Sequence, residues 1–403
     1  MNLNDYIKAR LVHEIHTSGR KSFRACRRRW DWIFNQRYYP TITAKPLEFG
    51  SAYHLAMEVY YKPDTWTWDR EVVGNLAIKS FVDECNAQRK AALAVTGEAY
   101  FEDDVEQDYN ERVELGVGML KYYFSEVSPK LDRGWKPVQV EVEFMLPIPN
   151  PETGDPIIWC VCEHCWDAWE AKAEEVGTRE AWKGLPVVYA GRLDMLAEDD
   201  KGAYWIFDWK TAAQVSEQYE FLYLDDQVAS YVWALRKLGL NVRGFVYHEQ
   251  KKAYPQPPTK NKTRRLGRIF SVNKTQSTDY ESYLRAVQEE DTEAYEAGLY
   301  DEMLEFLKSE GTVFFARHQI YKSAHEVQET ERNIGYEALD MTDPNLRIYP
   351  SPGRFGCNFC AFQEPCKEKN AQGDYKYILD TLFEKKEHYY LREKLSTESQ
   401  GGI

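Results

Sequence analysis

The spacing of apolar and polar positions changes several times along the chain, and each change marks an element. Lys136–Pro147 (KPVQVEVEFMLP) alternates with period two and predicts a strand. Val187–Leu196 and Tyr204–Trp209 predict two more, joined as a hairpin by the turn Glu198-Asp199-Asp200-Lys201-Gly202. Gly244–His248 and Gly267–Val272 read as further strands. Helical spacing covers Ser22–Gln36, Leu47–Tyr61, Trp68–Ala94 and Glu111–Val127 before the first strand. It returns in Ser216–Leu238, Thr278–Glu310 and His325–Met341. Asn150–Leu185 interrupts the sheet as an insertion with a short helix of its own. Lys251–Arg265 (KKAYPQPPTKNKTRR), with three prolines and no periodicity, reads as a mobile loop. The order helix, strand, hairpin, helix, strand predicts a mixed α/β core with helical flanks.

Composition changes this picture little. With 403 residues, 43% of them hydrophobic, the chain can bury a sizeable core. No apolar run approaches the roughly 18–20 residues of a membrane span. The first 21 residues lack an apolar signal core, so a cytoplasmic protein without a membrane partner is expected.

Charge adds more. The net value of −14 speaks against a polyanionic partner, but the charges are segregated. Lys8 to Arg37 holds nine Lys/Arg against Glu14 and Asp31, and Lys251 to Lys274 holds eight with no acid. Acid concentrates in Glu98–Glu114 and Glu289–Glu302. This pattern suits either a protein that meets phosphate along one face or a plain solvated surface. Aromatics (Phe23, Trp30, Trp32, Tyr254) interleave with the basic groups Arg24, Arg27, Arg28 and Arg29 and Lys260, Lys262, Arg264 and Arg265, which are the candidate DNA-binding residues.

Eight cysteines fall into groups: Cys26, Cys85, Cys160/Cys162/Cys165 and Cys357/Cys360/Cys366. In a cytosolic chain such clustering points to metal before disulfides. Cys160, Cys162 and Cys165, with His164 between them, could bind Zn²⁺ or be buried thiols of a small insertion. Cys85 reads as core.

The hairpin carries the chemistry. Gly191-Arg192-Leu193-Asp194 lies on one strand and Phe207-Asp208-Trp209-Lys210-Thr211 ends its partner. Asp208 and Lys210, two apart, share a face, and Asp194 on the adjacent strand brings a second carboxylate. Paired carboxylates make an oxygen-rich site for Mg²⁺ or Mn²⁺. The Lys210 ammonium beside them can position water or offset charge on a phosphate. Apolar neighbours bury both strands, where ionisable residues rarely occur without a partner.

GRLD…FDWKTA resembles motifs II and III of RecB-like PD-(D/E)XK nucleases. Gly50-Ser51-Ala52-Tyr53-His54 resembles the family's G-x-x-x-H helix, and Gln227-Val228-Ala229-Ser230-Tyr231 its Q-x-x-x-Y motif. Cys26 with Cys357-x2-Cys360-x5-Cys366 resembles the split set that holds a [4Fe–4S] cluster in AddB-type and CRISPR-adaptation nucleases. Arg27 here replaces the proline common after the first cysteine. The resemblance spans Ser22 to Cys366.

It implies a restriction-endonuclease-like α/β core, a mixed central sheet flanked by helices, with a helical N-terminal region and an iron–sulfur staple at the C-terminus. The implied organisation is a helical region at 1–135, a nuclease core at 136–275 with a Cys-containing insertion at 150–186, and a helical region at 276–403. It further implies His54, Asp194 and Asp208 as metal ligands, with Lys210, Gln227 and Tyr231 completing the catalytic set. Four thiolates alone could equally hold zinc.

The activity implied is a Mg²⁺/Mn²⁺ deoxyribonuclease, as an exonuclease on DNA ends or single strands. It would serve repair or recombination alongside recombination or replication proteins, in the host cytoplasm if the chain is phage-encoded. The alternatives are a CRISPR-adaptation trimming nuclease and a non-catalytic DNA-binding protein of the same fold.

Overall fold

The computed structural model describes residues 13–41, 45–96, 102–160, 185–215, 219–311 and 313–385. Seven strands form the central sheet: β1 (His13–Ile15), β3 (Trp135–Pro147), β4 (Ile158–Cys160), β5 (Leu185–Asp199), β6 (Tyr204–Ala212), β7 (Val242–Lys251) and β10 (Phe315–Tyr321). The small strand β2 (Tyr38–Pro40) pairs with β11 (Phe383–Lys385), and β8 (Lys260–Arg265) pairs with β9 (Arg268–Phe270). The predicted hairpin is present as β5–β6, turning through Asp199–Gly202. β6 and β7 are parallel, and β10 closes antiparallel on β7.

Strand β5 organises everything else. Along one edge it pairs with β3. Along the other it pairs with β1 only as far as Tyr189 and with β6 only from Met195 onward. Ala190–Asp194 therefore faces an opening in the sheet, beside the end of β6 that carries Asp208 and Lys210.

Helices cover both faces. On one lie α1 (Thr17–Ala25) and α2 (Arg27–Trp30); on the other lie α3 (Lys45–Tyr61), α4 (Arg70–Thr96) and α5 (Glu102–Tyr122). α6 (Asp226–Lys237) packs on the first face. The chain then forms α7 (Tyr280–Glu290), α8 (Thr292–Glu296), α9 (Asp301–Glu310) and α10 (Ala324–Thr342), and ends in the short helices α11 (Arg354–Asn358), α12 (Gln363–Asn370) and α13 (Tyr375–Leu382). One core gathers Trp30, Phe144, Ile206, Trp233 and Phe245; the other gathers Tyr53, Met57, Phe81, Phe207 and Trp209. Among the described residues, no helix is long and apolar enough to cross a membrane.

Several elements differ from the sequence reading. The basic helix expected over Ser22–Gln36 breaks at Cys26, whose extended backbone (φ −165°) separates α1 from α2. Thr278–Glu310 is three helices, interrupted at Asp291 and at Gly298, whose φ is +72°. Lys251–Arg265 is a loop only in its proline-containing half, and Lys260–Arg265 pairs as a strand. The helix expected from Ser216 begins at Asp226, capped by Asp225, whose side chain accepts Gln227 N–H at 2.6 Å. Strand β10 was not expected at all. Of the insertion, Cys162, His164 and Cys165 lie outside the described residues, and Cys160 ends β4.

Beneath the site runs a buried polar network. Arg317 on β10 donates to Asp132 (2.7 Å) and to Tyr123 (2.8 Å), and Tyr61 donates to the second Asp132 oxygen (2.5 Å). Both Arg317 and Asp132 are buried, so removing either leaves the other charge uncompensated. Arg317→Met is expected to lower the unfolding free energy by about 3–5 kcal/mol, read from the denaturant midpoint. An unchanged midpoint contradicts it.

Candidate active site at the split in the sheet

Pairing between β5 and β6 ends at Met195–Phe207, immediately before the residues of interest. Beyond that pair, Trp209 N–H donates to the Asp194 carboxylate (Oδ2, 2.8 Å) in place of a ladder bond. Asp208 and Lys210 project together on the α6 side, and the Lys210 ammonium lies 2.6 Å from Asp208 Oδ2. Gln227 Nε2 donates to the other Asp208 oxygen at 3.1 Å. Trp209, between them, points to the opposite face and stacks on Tyr61 at 5.0 Å. The alternation of a strand thus separates a polar pair from its apolar anchor.

His54 reaches the site from α3, its Nδ1 lying 3.3 Å from Asp194 Oδ1. A residue that sequence reasoning missed completes the group. Glu141 of β3 lies beside Asp194, and one ligand atom each from His54, Glu141 and Asp194 falls within 4.8 Å of the others. Both strands are kinked here. Val140 and Met195 pack in the core under α3–α5, whereas Val142 and Leu193, each two residues away, pack in the opposite core. Period-two alternation fails on both strands at the same level, and Glu141 takes the left-handed region (φ +48°). The kink turns two carboxylates toward the opening. Gly191 is needed nearby, because a Cβ there would meet the Phe144 ring at 2.3 Å.

The electrostatics follow from burial opposed by neighbours. Burial pushes the Asp208 carboxyl up, against the pull of Lys210. Burial disfavours the Lys210 ammonium, but Asp208 and Asp194 outweigh it and hold its pKa above the ordinary lysine value. Asp194 is held below the usual carboxylate value by His54, Lys210 and the Trp209 N–H despite burial. His54 is raised, Asp194 overcoming the cost of burial. Glu141 is pushed up to about 7 by burial, with Arg192 opposing at 2.8 Å and Asp194 adding to the rise.

A family model of the PD-(D/E)XK nuclease superfamily matches residues 17–367. The chain belongs to that superfamily. No curated protein sequence matches it significantly. The matched span takes in the whole β5–β6 site, the His54 helix and all four cysteines outside the insertion and the core.

Within this superfamily member, Tyr231 shares helix α6 with Gln227. It lies one turn beyond Gln227 and packs edge-on against Phe144 at 5.3 Å. The basic α1–α2 segment is largely committed internally. Lys21 pairs with Asp225, while Arg20 and Arg24 bind Asp226 and Glu337. These cations tie the first turn of α6, which carries Gln227, to α1. Arg27 lies between the Phe23 and Tyr349 rings, and Arg29 donates to Ser22. Arg28 is buried and donates to Cys366 Sγ (3.3 Å) and Asn370 (2.7 Å). On the hairpin β8–β9, Lys260 pairs with Glu290 and Arg264 with Asp291.

Cys26, Cys357, Cys360 and Cys366 are half-buried, free thiols where α1–α2 meets the C-terminal helices. Cys26 Sγ accepts Ser351 N–H and Cys357 Sγ accepts Gly353 N–H, each at 3.4 Å. Burial raises the Cys360 thiol, with Cys26 and Cys357 adding and Arg29 opposing. Among the described residues, no three cysteine sulfurs lie within 4.8 Å of one another. Cys85 is buried in the core of α3–α5, as its sequence position suggested, its thiol pushed up to about 11 by burial.

Proposed function

We propose that this chain is a Mg²⁺- or Mn²⁺-dependent deoxyribonuclease of the RecB-like branch, working as an exonuclease on DNA ends or single strands. The observation that carries the reading is the convergence of His54, Glu141 and Asp194 within 4.8 Å, beside the Asp208–Lys210 pair on the next strand. Two carboxylates and one imidazole fit a hard divalent cation, and Asp208 on the next strand would add a third carboxylate. Such a cation activates water and offsets negative charge on a phosphate.

The chain's own groups divide the remaining work. Lys210, whose protonated form Asp208 and Asp194 favour, would supply positive charge to the phosphate and orient the attacking water. Gln227 fixes the Asp208 carboxylate, and the cations Arg20, Lys21 and Arg24 fix Gln227 by anchoring α6. A non-catalytic DNA-binding role fits less well, because Asp194, Asp208 and Lys210 are all present.

We extend the proposal to a [4Fe–4S] cluster on Cys26, Cys357, Cys360 and Cys366. Arg28 and two backbone N–H groups aimed at the sulfurs favour thiolates. Four thiolates could hold either a [4Fe–4S] cluster or a single zinc, and the resemblance to iron–sulfur nucleases favours the cluster.

Glu141 and His54 must release protons before they can ligate. Mn²⁺ affinity is therefore expected to weaken as pH falls through about 7 and to level off above it. Glu141→Gln should cost tenfold or more, by analogy with the about 10–100-fold losses at tuned metal sites. Calorimetric titration measures both, and a pH-independent affinity contradicts the ligand role. The mode of attack is tested with linear and covalently closed circular single-stranded DNA. An exonuclease degrades only the linear form, and cutting of the circle overturns that part of the proposal.

A further inference from the structure

The hairpin β8–β9 turns through Leu266 and Gly267, whose φ values are +51° and +81°. Two consecutive positive φ values mark the type I′ hairpin turn, which favours Asn or Gly at its first position. A leucine there is strained by its side chain, and this one is 77% exposed to solvent. Nothing in local folding asks for it. A strained apolar residue held out in water breaks the rules of turn chemistry and of burial together, and such places are where function is found.

The turn is held firmly. Arg264 pairs with the buried Asp291 at 2.8 Å, and Asp291 also accepts from Tyr300 (2.6 Å) and from Ile269 N–H (2.8 Å). Arg264 further donates to Gly267 O, Arg268 to Leu299 O, and Asn261 to the carbonyls of Arg268 and Phe270. Phe270 is rooted in a small core with Tyr283, Tyr300 and Met303. The side chains of Lys262 and Arg265, both exposed, have no ion-pair or hydrogen-bond partner among the described residues. The chain enters the prong from β7, whose Lys251 pairs with Ala212, two residues beyond Lys210. It is thus attached at the strand ends that bear the active site.

We infer that β8–β9 is a rigid prong that engages the end of a DNA duplex. Leu266 stacks on or splits the terminal base pair, and Lys262 and Arg265 bind the flanking phosphates. Apolar side chains inserted at base steps unstack them, and free cations supply the sequence-independent attraction to the backbone. The segment Lys251–Lys274, with eight cations and no acid, favours nucleic acid over a protein partner. The inference rests on the DNA nuclease reading and narrows it to substrates that present a duplex end or a junction with a single strand.

The test uses the full chain in an Asp208→Asn background, so that DNA stays uncut, with a short blunt duplex carrying 2-aminopurine in its terminal pair and a single-stranded oligonucleotide. The duplex is expected to brighten on binding. Adding Leu266→Asn, which suits the turn, should abolish the brightening and weaken duplex binding about tenfold. Single-strand binding and melting temperature should be kept or improved. Lys262→Gln with Arg265→Gln should weaken duplex binding and lower its salt dependence.

Unchanged brightening in Leu266→Asn, or a lowered melting temperature that makes the leucine structural, overturns the inference while leaving the nuclease reading intact. Failure of the background protein to bind any DNA overturns both.

Discussion

Replacing Lys210 by alanine is expected to lower the rate of DNA cleavage by about 100- to 1,000-fold with little change in substrate affinity. Its ammonium lies 2.6 Å from Asp208 and is held protonated by two carboxylates. It therefore contributes charge where charge develops on the phosphate, an interaction felt more in the transition state than in the bound ground state. The loss should fall on kcat. Lys210→Arg restores charge but not the compact point-like head, so partial recovery is expected. Trp209, on the opposite face, anchors the strand through Tyr61, so circular dichroism of Lys210→Ala should match the parent. Cleavage by Lys210→Ala at the parental rate contradicts the assignment.

The second large effect belongs to the cysteines. Protein purified without oxygen is expected to be brown and to carry about four irons per chain. Cys360→Ser should lose the colour, and the N-terminal helices should lose their tie to the C-terminal ones. Cys26 and Cys357/Cys360/Cys366 are separated by more than 300 residues, so the closed loop is long. Structural metal sites contribute on the order of 10 kcal/mol. A small local core of Trp32, Tyr38, Phe362, Leu379 and Phe383 remains without the cluster. The expected result is thus selective melting of this corner, seen as early proteolysis around α11–α13, before global unfolding. Stoichiometric zinc without iron would replace the cluster by a zinc staple, and neither metal would refute ligation.

Much of the site was legible because its signals are local. Period-two alternation and an Asp/Gly turn announce β5–β6, and two residues two apart on a strand must share a face, which places Asp208 with Lys210. Glu141 was illegible for the same reason. In VQVEVEF it occupies an ordinary polar position of an alternating strand, and only the paired kink with Leu193–Met195 turns it toward His54. A left-handed φ at a glutamate has no sequence signature.

The basic residues before Gln36 are a different case. Composition shows charge but not partners, and Arg20, Lys21 and Arg24 are used to hold Asp225, Asp226 and Glu337. The proline run hid a hairpin because the prolines stop at Pro258, two residues before β8 begins. Leu266-Gly267 is a poor match to the usual Asn-Gly signal, so the turn was invisible until its φ values were known. The split of Thr278–Glu310 could have been seen, since Asp291 and Gly298 are helix-boundary residues by type.

The central claim is that the opening in the sheet is a metal-dependent phosphodiesterase site, and end-labelled linear single-stranded DNA tests it most directly. With Mn²⁺ the protein should release labelled nucleotides; with chelator, or with Asp194→Asn in Mn²⁺, the DNA should stay intact. Cleavage that persists in chelator and in Asp194→Asn would contradict the account, as would intact DNA after incubation with protein shown by calorimetry to have bound Mn²⁺.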